Sequence, residues 1–139
     1  MAPRIITPNA PRILPPLTDA NRAYWTGGAN GELLIQRCTE CRTWVHPPAE
    51  HCACGGALVA EAVSGNGTIF TFTVNEQQYH PEVPPPYVIA VVELDEQHDL
   101  RLPTNIVDAD VDALACGQRV QVAFEQHGEV YVPVFEVAG

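Results

Sequence analysis

The residues best placed to do chemistry are cysteines. Cys38-Thr39-Glu40-Cys41 is a C-x2-C turn, and ten residues later comes Cys52-Ala53-Cys54-Gly55. Thiolates on two such turns can converge on one tetrahedral Zn2+, giving a closed four-ligand site that is structural, with no position left open for a substrate. The second pair is C-x-C, one residue tighter than the first. His51 lies three positions before Cys54, so His51 and Cys54 restore the two-residue gap. The pattern therefore reads as Cys38, Cys41, Cys52 and Cys54 around zinc, with His51 as an alternative ligand. A lost metal site or a redox pair such as Cys52–Cys54 also fits the spacing. The fifth cysteine, Cys116, stands alone beside Gly117 and reads as a small buried apolar residue.

No other constellation carries a reaction. His46, His80, His98 and His127 are far apart in sequence, and there is no serine elbow, H-E-x-x-H motif or glycine-rich phosphate loop. Glu93, Asp95, Glu96 and Asp99 cluster as a solvated hairpin turn would. All seven basic residues are arginines, which excludes lysine Schiff-base chemistry. The catalytic set expected from the sequence is therefore none.

The elements that must position the cysteines follow from patterning. The 139 residues suit one compact domain or two small modules. Residues 1–17 hold Pro3, Pro8, Pro11, Pro15 and Pro16, and read as an extended arm, either a disordered tail or a strap on a partner subunit. Thr18-Asp19 starts a helix of about two turns that Gly27-Gly28 should end. It carries Tyr24 and Trp25, which pack on the core or on a partner. Short strands surround the cysteine turns, with too little apolar mass to fold alone, so metal binding should supply folding energy there. The units expected are 1–17, 18–62 and 63–139.

Residues 63–139 read as five strands. Gly67–Val74 alternates, with Phe70, Phe72 and Val74 on one face and Ile69, Thr71 and Thr73 on the other. Tyr87–Leu94 is nearly continuous apolar, as a strand buried on both faces would be. Leu100–Val107 and Val130–Val137 carry Pro103 and Pro133, which suggest edges. Arg119–Glu125 turns Val120, Val122 and Phe124 inward. His127-Gly128 forms the last hairpin, and residues 108–117 allow one short helix ended by Gly117. Five strands with a short helix between the third and fourth suit a Greek-key OB-fold barrel. The fold class expected is mainly β: helix and zinc ribbon, then the barrel.

Charge narrows the partners. Residues 1–60 carry a net +1 and residues 61–139 a net −11, which opposes a phosphate-tracking nucleic-acid binder. The N-terminus shows no apolar signal region, and no run approaches the ~20 apolar residues of a membrane helix, so a cytoplasmic protein is expected. The loop Glu76–Pro86 is rigid and aromatic-edged, with Tyr79, His80, Pro81 and Tyr87 as candidate contacts to a partner or ligand.

A cysteine-turn pair feeding such a barrel through Gly67–Thr73 resembles the acyl-CoA-associated OB-fold family with a rubredoxin-like zinc ribbon. The likeness includes Asn21–Trp25, Cys38-x2-Cys41, Cys54-Gly55, His80-Pro81, Pro86-Tyr87, Val88–Leu94 and Gly117–Val120. The family's second knuckle is usually C-P-x-C-G, one residue longer than the one here. The resemblance implies a non-catalytic subunit of a thiolase-like acyl-CoA enzyme: a thiolase, an acyltransferase, or a sterol-carrier-type aldolase that shortens steroid side chains. It implies a thiolase-like partner in a heterotetramer, structural Zn2+, and acyl-CoA shared with that partner. Tyr24, Trp25, Tyr79, His80, Pro81 and Tyr87 are the contacts expected for partner or acyl-CoA. The rival expectations are a stand-alone acyl-CoA-binding protein and a nucleic-acid-binding OB module.

Overall fold

Apolar residues at every second position make the C-terminal half a sheet, and the sheet closes on itself. The computed structural model describes residues 3–8, 11–78 and 81–138. The barrel strands are β5 (Asn66–Asn75), β6 (Tyr87–Leu94), β7 (Arg101–Ile106), β8 (Arg119–His127) and β9 (Val130–Val137). Their order is β8-β5-β6-β7-β9, and β8 pairs again with β9, so the sheet is a closed five-stranded barrel. The β7–β9 pairing is parallel and the rest are antiparallel, as in the OB-fold. Phe124, Phe135, Leu94, Leu102, Ile69 and Val120 fill the interior and are essentially inaccessible to solvent.

The strand β5 departs from simple alternation. A bulge lies between Ile69 and Thr71. One extra residue reverses the phase, so Ile69 is buried while Phe70 is 49 % exposed, and Phe72 and Val74 then pack against the core. Phe70 is therefore not on the inner face, and the Arg101 guanidinium sits 3.7 Å from its ring centroid instead.

The strand β6 is buried on one face only. Val88, Ala90, Val92 and Leu94 point inward, but Ile89 is 44 % exposed and Val91 is half-buried. The described residues cover its apolar outward side chains only in part. Pro103 sits exposed opposite Val91. Pro133 is buried, where β9 has no ladder to β7 because that pairing is confined to Ile106 and Phe135. A proline is tolerated there because no N–H is required. The segment 108–117 forms no full helix. It holds a single 3₁₀ turn at Val111–Ala113, capped by the Asp110 side chain. Cys116 beside it is exposed, so it does not pack as a buried residue.

The cysteine turns belong to a second sheet. It comprises β2 (Leu33–Cys38), β3 (Trp44–Val45) and β4 (Leu58–Val63), ordered β3-β2-β4. Before it, Thr18 and Asn21 exchange side-chain to backbone bonds at 2.7 and 3.2 Å, and this reciprocal cap starts the first turn. The helix α1 is short (Arg22–Thr26). It ends where Gly27-Gly28 suggests, with Gly27 as its C-cap, and a 3₁₀ turn follows from Gly27 to Asn30. Gly28 seats this turn on the barrel, because a Cβ there would lie 2.5 Å from Tyr131 and 2.6 Å from Phe124. Tyr24 is buried with Leu33, Ile35 and Trp44, and Trp25 packs beside them.

The proline-rich arm folds back on its own chain. Its strand β1 (Ile5–Ile6) runs parallel to β8 at Phe124 and Glu125, and the Phe124 N–H donates to the Arg4 carbonyl at 2.9 Å. Arg4 holds Glu136 at 2.7 Å and Asp108 at 2.5 Å.

Candidate metal centre and adjoining groove

The loops after β2 and before β4 bring the four cysteines together. The sulfurs of Cys38, Cys41, Cys52 and Cys54 all lie within 4.8 Å of one another. Cys38 and Cys54 are 3.5 Å apart, and Cys41 and Cys52 3.7 Å. Four sulfurs about 2.3 Å from a tetrahedral ion stand about 3.8 Å apart, so the set fits a metal of that kind. His51 is exposed and lies outside this cluster. The tight C-x-C pair reaches the site because residues 52–56 fold into a turn. The Gly55 N–H donates to the Cys52 carbonyl at 2.8 Å, and the Cys52 N–H to the Gly56 carbonyl at 3.0 Å. Gly56 is pressed against the sulfurs. A Cβ there would lie 2.6 Å from Cys38 Sγ and 3.3 Å from Cys54 Sγ.

The surrounding dipoles favour thiolates. The N–H groups of Cys41 and Glu40 point at Cys38 Sγ, each at 3.4 Å, and lower its pKa. The hydroxyl and N–H of Thr43 draw Cys41 down to about 6. Cys54 receives help from the Gly56 N–H, but the adjacent sulfurs of Cys38, Cys41 and Cys52 outweigh it and push Cys54 up to about 12. Without a cation the four cannot all ionise at neutral pH; a divalent ion removes that conflict. These four side chains would hold the metal, and the metal would supply cross-linking of a core-poor unit. The arrangement is a structural metal site.

Two glutamines carry the backbone around it. Gln36 bonds both backbone groups of Ala49, at 2.7 and 2.9 Å. Gln97, from the β6–β7 turn, bonds both backbone groups of Trp44. Arg37 lies over the Trp44 ring at 4.6 Å. His46 is packed at 4.8 Å against the Tyr24 ring, and burial lowers its pKa to about 4, so it stays neutral.

On the barrel side, the arm arches over a groove of about 1110 Å³ walled by Ile6, Ile13, Trp25, Pro84–Pro86 and Tyr87. A smaller hollow of about 370 Å³ shares Arg12, Trp25 and Tyr87 with it and adds Tyr24 and Ile89. The structure thus brings Tyr24, Trp25 and Tyr87 to one surface. Pro81 is exposed in the loop beyond it. Tyr79 and His80 lie outside the described residues.

Sequence reasoning missed the polar floor of this groove. Arg12 bonds Glu125 at 2.5 Å and Asn105 at 2.9 Å, and His127 reaches the same Glu125 oxygen at 2.7 Å. Burial raises the Glu125 pKa, but Arg12 and His127 reverse that and hold it below the usual range. The signal available in the sequence was the arm's charge: Arg4 and Arg12 with no acid among residues 1–17 to pair with them. The acids Glu93 and Asp99 share Arg101, at 3.1 and 3.0 Å, and Asp95 accepts from both terminal guanidinium nitrogens of Arg119.

Comparison with known proteins matches two family models in tandem: the rubredoxin-like zinc ribbon domain of ChsH2 over residues 25–59, and the C-terminal OB-fold domain of ChsH2 over residues 60–125. A probable enoyl-CoA hydratase alpha subunit of Thermomonospora curvata is 36 % identical over 138 residues, which is 95 % of this chain and 43 % of that protein. A 3-oxo-4,17-pregnadiene-20-carboxyl-CoA hydratase alpha subunit of Mycobacterium tuberculosis is 32 % identical over 73 % of this chain and 32 % of its own length. The chain therefore spans less than half of either hydratase subunit. A DUF35 domain-containing scaffold protein of Methanothermobacter thermautotrophicus is 31 % identical over 68 % of this chain and 72 % of its own. A solved structure named as the Ltp2-ChsH2(DUF35) aldolase superposes with a TM-score of 0.78 at 33 % identity, covering 91 % of this chain and all of that one. Ribbon, barrel and relatives agree: the chain belongs to the DUF35 family, in the ChsH2-type form of a rubredoxin-like zinc ribbon followed by an OB-fold.

Proposed function

We propose that this chain is a non-catalytic accessory subunit of a thiolase-like acyl-CoA enzyme, stabilising its partner and forming part of the acyl-CoA channel. The observation that carries the reading is the groove under the arm. It is bordered by Trp25, Tyr87 and a proline-stiffened loop, and its ionic groups are already engaged with one another. Such a surface suits an apolar chain or a partner segment better than it suits bond-breaking. Relatives named as a scaffold and as part of an aldolase support the same role.

The partner proposed is a thiolase-like subunit in a heterotetramer, acting on a steroid side-chain or other bulky acyl-CoA. Zn2+ is the metal proposed for the four cysteines, and the cytoplasm the compartment, where thiols remain reduced. The net charge of −11 over residues 61–139 opposes binding the phosphates of coenzyme A unaided, so the partner supplies the cationic part of that site. Arg22, Arg37 and Arg42 are this chain's candidates to contribute. The hydratase alpha subunits favour a second reading, in which the same unit serves a hydratase. Co-expression with a thiolase-like subunit from the same organism, followed by light scattering and assay, tests the proposal. A stoichiometric heteromer whose retro-aldol or thiolytic activity requires this chain supports it. A fully active, stable partner without this chain overturns it.

A further inference from the structure

The outward face of β5, β6 and β7 does not match the fold that contains it. A sheet with one face in water ordinarily alternates apolar-in with polar-out, but here three of the four outward residues of β6, Tyr87, Ile89 and Val91, are apolar or aromatic, and the fourth, Glu93, is bonded to Arg101 at the end of the strand. In register with them are Thr71 and Pro103 beside Val91, then Thr73 and Asn105 beside Ile89. Between Tyr87 and Val91 none of these side chains is charged, although the chain carries a net −10; the charges begin at the Glu93–Arg101 pair beyond. Two features extend the face. At one end the bulge turns Phe70 outward, 49 % exposed, under Arg101. At the other border Arg12 bonds Asn105, and the next two arm residues, Ile13 and Leu14, are 101 % and 40 % exposed. Of the six large apolar side chains exposed among the described residues, these four lie on or beside this face.

We infer that this face, from Phe70 across Ile89 to the arm, is the surface on which the catalytic partner subunit docks. The inference rests on the accessory-subunit reading and names its interface. The sequence of β6 is that of a strand covered on both sides, and the described residues leave the outer side partly open, most of all at Ile89. A second copy is disfavoured as the cover, because it brings another ten negative charges toward a sheet already rimmed by Glu93 and Asp99. The fitting occupant is a different chain with an apolar, uncharged patch and a neutral or basic surround, which the acidic barrel would steer into place.

Ile89→Glu places a charge at the centre of the face without touching the core. Val59→Glu does the same on β4 of the ribbon, at a side chain of similar exposure. Both full-length variants, checked by circular dichroism and bound metal, would be titrated against a purified thiolase-like subunit from the same organism. The expected result is binding weakened at least tenfold by Ile89→Glu and less than twofold by Val59→Glu. Wild-type affinity in Ile89→Glu would overturn the interface and leave the accessory role standing. Failure of the wild-type chain to bind would overturn both. Self-association of the wild-type chain that Ile89→Glu abolishes would assign the face to a second copy and overturn the hetero-partner.

Discussion

The carboxamide of Gln97 bonds both backbone groups of Trp44. The Trp44 N–H donates to Oε1 at 2.9 Å, and Nε2 donates to the Trp44 carbonyl at 3.1 Å. A side chain from the barrel's β6–β7 turn thus does for β3 what a neighbouring strand would do, and ties ribbon to barrel. Gln97→Ala leaves both groups without these partners and should cost about 1–3 kcal/mol. In urea the midpoint should fall with an unchanged slope if the two sheets still unfold together. A split transition would show that this clamp couples them.

Metal removal should act locally first. Chelation, or Cys38→Ser, removes the cross-link from the unit with least apolar mass. Hydrogen exchange should speed up in β2, β3 and β4 while the amides of β6 and β8 stay protected. Elemental analysis of the untreated protein should find a single tightly held zinc per chain.

Gly56→Ala probes the crowding at the sulfurs. The added methyl would sit 2.6 Å from Cys38 Sγ, so the turn must shift. Affinity for zinc should fall on the order of tenfold, as it does when groups supporting metal ligands are disturbed, with the barrel intact by near-ultraviolet dichroism.

The arm should loosen in acid. Glu125 has its pKa lowered in the folded state from an ordinary 4.5. Its contribution is therefore fully present above that value and is lost as pH falls through the folded-state value. Arg12→Ala should remove about 1–3 kcal/mol at neutral pH and flatten the dependence of stability on pH below about 4.5. Denaturation midpoints across pH 3–7 for both proteins decide it.

Gly28→Ala should destabilise through overpacking. The methyl would meet the Tyr131 Cβ at 2.5 Å and the Phe124 ring at 2.6 Å; the first is fixed to the backbone of β9 and the second is fully buried. A loss of about 1–3 kcal/mol is expected, read as a lowered thermal midpoint with secondary structure unchanged.

What the sequence made legible follows the range of the interactions. The strands β6 and β9 are readable to the residue, because a short apolar run bounded by turn residues is a local signal. The bulge at Phe70 was not readable: an aromatic run looks regular until Arg101, thirty-one positions on, shows where the ring goes. The arm's docking was equally hidden, since β1 pairs with residues more than a hundred positions away, and prolines alone signal only an extended chain. Cysteine spacing located the metal centre. That Cys52 joins it and His51 does not depended on the turn through Gly55 and Gly56. The Arg12–Glu125–His127 cluster was invisible because one member comes from the arm and two from β8.

The bond between Arg4 and Glu136 has an architectural consequence. It joins the side chain of Arg4, in the arm, to that of Glu136, in the last strand, at 2.7 Å. A unit whose entrance and exit are near enough to be tied by one ion pair can be spliced into a longer polypeptide without separating its strands, which is the condition for a transferable module. The hydratase subunits, in which the matching region is less than half of the length, are what such portability would produce.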